Sequence, residues 1–183
     1  MIQKIIGLPE NKIREVSKEV VSFDVSLEKL VKDLIDTSEV QKDPPALGMA
    51  APQIDVFKKV FVAKIRNKFR PFVNPIATKY SKRESALLEG CFSVVGLFGQ
   101  VTRPAEVDVE YRDQHGKKIT KHFKGLAAKI IQHELDHLNG ILFVDHIKNQ
   151  NGKLFKVEKD KKGKDVLVEI WKSPFLERHV LPK

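Results

Sequence analysis

Gly125-Leu126-Ala127-Ala128-Lys129-Ile130-Ile131-Gln132-His133-Glu134-Leu135-Asp136-His137-Leu138 is the run from which the fold of this chain is read. Leu126, Ile130 and Leu138 recur on one helical face, and Ile131 and Leu135 add apolar flanks. The spacing predicts a substantially buried helix over 125–138, stopped by Gly140. His133 and His137 stand four residues apart, so both imidazoles can reach one ion. Glu134 follows the first histidine, where its carboxylate can reach a water on that ion without being a ligand. Such a metal lowers the pKa of its water toward about 7 and polarises a scissile carbonyl. Glu134 would then take the water's proton and return it to the leaving amine. Two surface histidines, or two hydrogen-bonded core histidines, are the plain alternative. Apolar flanks argue against it, because a buried His-Glu-His group needs a partner.

A catalytic site of this kind has three protein ligands plus water. The chain has one cysteine, Cys91, within Glu89-Gly90-Cys91-Phe92-Ser93. A lone cysteine is more often an inert core residue. Here the two histidines and the Glu-Gly-Cys context make it the candidate third ligand. Asp136 is read either as orienting a ligand from behind or as part of an ion pair.

Around that centre, 183 residues suffice for a single domain with one core. One cysteine excludes an internal disulfide, and no run approaches the roughly 20 apolar residues of a membrane span. A cytoplasmic protein with no membrane contact is expected. The net charge of +9 is concentrated late, at Lys153, Lys156, Lys159, Lys161, Lys162 and Lys164. That charge favours polyanions, including ribosomal RNA, although a solvated surface is the plainer explanation. No aromatic platform interleaved with basic residues points to dedicated DNA binding.

The apolar positions Leu27, Leu30, Val31, Leu34 and Ile35 predict a helix over 26–38, capped by Ser26 or Asp24. Pro44 and Pro45 then break the chain ahead of the small-residue run 46–53. Strands are expected at 60–65 and 71–76. A hairpin is expected from 107–111 and 118–123 across Asp113-Gln114-His115-Gly116. A second hairpin, 154–157 with 166–171, closes the lysine-rich extension 148–183. The class is α+β, with mainly antiparallel strands packed around a central metal-binding helix and a strand-like C-terminal hairpin.

Three segments, Ala46-Leu47-Gly48-Met49-Ala50-Ala51-Pro52-Gln53, Glu89-Gly90-Cys91-Phe92-Ser93 and Gln132-His133-Glu134-Leu135-Asp136-His137, resemble in order the motifs of the peptide deformylase family. The resemblance spans roughly residues 1 to 147. It implies a metalloenzyme that removes the formyl group from N-formylmethionyl peptides and releases formate. By position it implies Cys91, His133 and His137 as ligands and Glu134 as general base. Gln53 and the Phe92 backbone N–H would serve the developing oxyanion. Leu47 and Gly48 would line a groove for an extended peptide, and Leu87, Leu126 and Ile130 the pocket for the methionine side chain. The cofactor implied is one divalent ion, Fe2+ first, with Zn2+, Ni2+ or Co2+ able to take its place.

Three positions depart from the family pattern. Ala46 replaces a glycine, which is expected to narrow the groove or shift its backbone. Val95 stands where a proline is common. Lys129 occupies an often apolar pocket position, its stem expected to pack there with the ammonium in water. Two rival readings share the H-E-x-x-H: a zincin-type peptidase and a non-catalytic ribosome-binding module with a structural metal. The first lacks its usual ligand spacing, since His146 lies nine residues past His137. The second needs neither Glu134 nor Gln53.

Overall fold

In the computed structural model, which describes residues 1–170, the buried helix α2 (Leu126–Leu138) is the element on which the rest is arranged. Its Ala128, Ile131, Leu135 and Leu138 pack on Phe61, Phe72, Val109 and Phe123. Those residues come from a five-stranded antiparallel sheet in the order β1 (Gly48–Ala50), β2 (Val60–Ile65), β3 (Lys68–Tyr80), β6 (Glu106–Arg112), β7 (Lys118–Lys124). Helix α1 (Val25–Glu39) buries Leu27, Val31 and Leu34 against Met49, Val60, Val62 and Val73. Of the two expected caps, Asp24 serves: its carboxylate accepts the backbone N–H groups of Ser26 and Leu27.

A second antiparallel sheet runs β4 (Glu84–Cys91), β5 (Val94–Pro104), β8 (Leu154–Lys159), β9 (Asp165–Glu169). Helix α3 (Phe143–Asn149) covers it with Phe143, Val144 and Ile147 on Leu97, Val101 and Leu154. The class is α+β, as the sequence indicates.

The 107–123 hairpin forms as expected. Asp113 Oδ1 accepts the N–H groups of His115 and Lys117, and Gly116 supplies the left-handed residue at φ 83°. The strand expected at 71–76 is longer, Lys68–Tyr80, and its register slips between Val73 and Ile76, where Pro75 sits. The C-terminal hairpin forms through Glu169, with Asp160 organising its turn; Trp171 of the expected strand lies outside the described residues. The sequence reading did not find β4, β5 and α3.

Candidate metal and active site

Both sheets meet at one cleft of about 510 Å3 beside α2. Cys91 ends β4, where the register shifts between Gly90 and Cys91 and re-aims the thiol. His133 and His137 reach it from α2. One donor atom from each of the three residues lies within 4.8 Å of the others, with Cys91 Sγ 3.2 Å from His137 Nε2. One soft sulfur and two imidazoles at that spacing fit a transition metal.

The charges agree with that use. Burial would push the Cys91 thiol up, but His137 and His133 hold it well below its ordinary value, as a thiolate ligand requires. His133 Nδ1 donates to Glu89 Oε2 at 2.9 Å, which leaves its other nitrogen for an ion. Burial opposes the charged imidazole, yet the bonds to Cys91 and Glu89 raise its pKa well above the ordinary value. Glu89 is itself gripped by Arg103, with Nε donating to Oε1 at 2.6 Å and Nη2 to Oε2 at 3.0 Å. Against the cost of burial, His133 and Arg103 bring the Glu89 pKa down to about 2.

Asp136 does not orient a ligand directly. Its Oδ2 accepts from Arg103 Nη1 at 2.6 Å and lies 2.8 Å from His146 Nε2. Glu89 is the carboxylate that touches one of the two histidines. The Glu-Gly-Cys segment contains it, but nothing in its sequence context names its partner Arg103. His146 is spent on Asp136 and lies outside the cysteine-histidine group.

Arg103 and Glu89 are 4% and 6% exposed, so replacing Arg103 by methionine leaves a buried carboxylate with His133 as its one remaining partner among the described residues. A loss of about 3–5 kcal/mol is expected in denaturant unfolding. The Glu89 pKa falls on folding from 4.5 to about 2, so its contribution is complete above pH 4.5 and disappears as pH falls toward 2. Acid unfolding of the R103M variant should lose only the part of that dependence that Arg103 supplies, since His133 still donates to Glu89.

Glu134 faces the cleft from α2 and is 3% exposed. Its Oε2 has no hydrogen-bond partner among the described residues. Burial pushes its pKa up to about 7; His133 and His137 oppose this, and Cys91 and Glu89 add to it. A buried carboxylate left unpaired and poised near neutrality has the properties of a general base. Gly48 makes room for it: a Cβ there would collide with Glu134 Oε1. The Gly48→Ala variant is therefore expected to displace the carboxylate and cut turnover by about 100-fold in steady-state assays.

The 3-10 turn Ala51–Ile54 positions Gln53. Its Oε1 accepts the Ala50 N–H at 2.9 Å, which turns Nε2 toward Cys91 Sγ at 3.5 Å and Ser93 Oγ at 3.3 Å. Phe92 lines the cleft beside the thiol, as do Leu47, Leu87, Leu126 and Ile130 on its apolar walls. Val95 is exposed at the rim. Ala46 is not among the residues that line the cleft: it is buried and lines a neighbouring hollow with Ile35 and Phe69. Nor does Lys129 reach water. It is 4% exposed, and its ammonium donates to the backbone carbonyls of Ser85 and Arg103.

Comparison with known proteins gives one consistent result. The family described as Polypeptide deformylase matches residues 2–153. Peptide deformylase of Brucella suis biovar 1 (strain 1330) is 39% identical over 151 residues, covering 80% of this chain and 85% of its own length. That of Rhizobium meliloti (strain 1021) is 37% identical with the same coverage. The crystal structure of a peptide deformylase from Legionella pneumophila superposes with a TM-score of 0.74 at 38% identity, over 80% of this chain and 86% of that one. The Ehrlichia chaffeensis enzyme in complex with actinonin gives 0.75 at 31% identity, over 79% and 88%. With the matched residues containing the whole cysteine-histidine centre and its carboxylates, the chain belongs to the polypeptide deformylase family.

Proposed function

We propose that this cleft hydrolyses the formyl amide of N-formylmethionyl nascent peptides, with the ion held by Cys91, His133 and His137. The observation that carries the reading is the unpaired Glu134 carboxylate, buried in the cleft beside that ligand set. The deformylases are metalloenzymes; Fe2+ is the ion assigned here, with Zn2+, Ni2+ or Co2+ as substitutes. When bound, such an ion supplies Lewis acidity and a lowered water pKa. Glu134 takes the proton of the attacking water and passes it to the leaving amine nitrogen. Gln53 Nε2 and the Phe92 N–H donate to the oxygen on which charge develops. Gly48, the first residue of β1, and Leu47 just before it offer backbone for an extended peptide to add as a strand. Leu87, Leu126 and Ile130 enclose the methionine side chain. Glu89, held by Arg103, keeps His133 in its ligating orientation.

The zincin reading has no support, since His146 is engaged with Asp136. A purely structural metal site would not need the Glu134 carboxylate. No helix among the described residues is long and apolar enough to cross a membrane. Action in the cytoplasm, where nascent chains emerge, fits this. The described part of the extension, residues 148–170, belongs to the same domain in this reading, because β8 pairs with β5. Its lysines offer a surface to the ribosome. The test is release of the free α-amine, with formate as co-product from the formyl peptide, when anaerobically iron-loaded protein is given a formyl-Met peptide or its acetyl-Met analogue. Release from the first peptide alone supports the reading; no turnover at full metal occupancy overturns it.

A further inference from the structure

Lys129 is the one lysine or arginine among the described residues that line the cleft. It sits one helical turn before His133, on the side of α2 that also carries Leu126 and Ile130. Two of its ammonium N–H groups are spoken for, by Ser85 O and Arg103 O, which belong to paired residues of β4 and β5. An ammonium has three N–H groups, and the third has no acceptor among the described residues. Burial and the neighbouring Arg103 lower its pKa, while Glu89 and Glu84 favour the cation. A pocket walled by Leu87, Leu126 and Ile130 is therefore also lined by a lysine whose ammonium keeps one N–H that an apolar ligand leaves without an acceptor.

We propose that Lys129 is a specificity-determining residue that lets the pocket accept a first side chain ending in an uncharged acceptor oxygen, methionine sulfoxide above all, alongside methionine. This rests on the deformylase reading of the cleft. A sulfoxide oxygen in an all-aliphatic pocket would lose its hydrogen bonds to water and gain none. Beside Lys129 it meets a cationic donor of the kind that gives the stronger hydrogen bonds. A carboxylate is a poorer fit, because Glu89 and Glu134 line the same cleft.

The test uses metal-loaded full-length chain and peptides identical except for the first residue: formyl-Met, formyl-Met sulfoxide, formyl-norleucine and formyl-Gln. In the wild type, kcat/KM for sulfoxide is expected within about tenfold of that for methionine. In K129M, the sulfoxide-to-methionine and Gln-to-norleucine ratios should both fall by about 10- to 100-fold. Ratios taken within one preparation cancel its active fraction, so partial misfolding does not disturb them. Should K129M fail to fold, the wild-type ratio decides alone. A wild-type sulfoxide penalty beyond about tenfold, or unchanged ratios in a folded K129M, would overturn the proposal. Absence of formate from formyl-Met itself would instead sink the deformylase reading, and this proposal with it.

Discussion

Glutamine at position 134 is expected to lower formate release by about 10²–10⁴-fold while leaving metal content intact. The substitution keeps the shape and removes only the capacity to take a proton. Glu134 lies outside the Cys91, His133, His137 group, so the ion's ligands are untouched. The same variant has a readout on stability. Burial raises the Glu134 pKa from 4.5 to about 7, so the folded metal-free protein binds a proton that the unfolded chain has lost across that interval. Stability therefore falls as pH rises from 4.5 to 7, and the E134Q protein should be free of that loss. Denaturant unfolding at pH 4 and pH 8 measures it: the two proteins should match at the lower pH, with E134Q the more stable at the higher. Equal turnover in E134Q would remove Glu134 from the chemistry.

Alanine at Cys91 is the second large effect. It removes the sulfur, the only soft donor of the set, and leaves two imidazoles four residues apart on α2. Loss of a partner behind a ligand already weakens metal binding by about 10–100-fold, and loss of a ligand itself should exceed that. Elemental analysis after anaerobic desalting should find the ion retained by wild type and absent from C91A. Formate release should be lost with it. The handling is anaerobic because a thiolate held well below its ordinary pKa is open to oxidation. Retention of both metal and activity would show that the thiol is not a ligand.

Much of the site was legible because its chemistry is written in short spacings. The i, i+4 histidines with Glu134 between them specify a helix face, and helix α2 occupies Leu126–Leu138 against an expectation of 125–138. The 107–123 hairpin was equally plain from alternation and an Asp-to-Gly turn. Strand β4 was not, because Glu84-Ser85-Ala86-Leu87-Leu88-Glu89 is composed largely of helix formers and has no period of two. It is extended because Leu87 pairs with Val101 and Leu88 with Gln100 across β5, a tertiary decision. Lys129 misled for a related reason. A lysine beside a pocket is expected to send its ammonium to water, but carbonyls from two strands far away in sequence receive it instead. The Arg103 bridge from Glu89 to Asp136 is likewise a contact between segments that local spacing does not connect.

The central claim is that one ion, held by Cys91, His133 and His137, supports formamide hydrolysis with Glu134 as base. Anaerobic titration of metal-free protein with Fe2+, following formate release from a formyl-Met peptide at each addition, tests it most directly. Activity is expected to rise linearly and stop at one equivalent of ion per chain. Formate release without any ion, or none with the site filled, would contradict it.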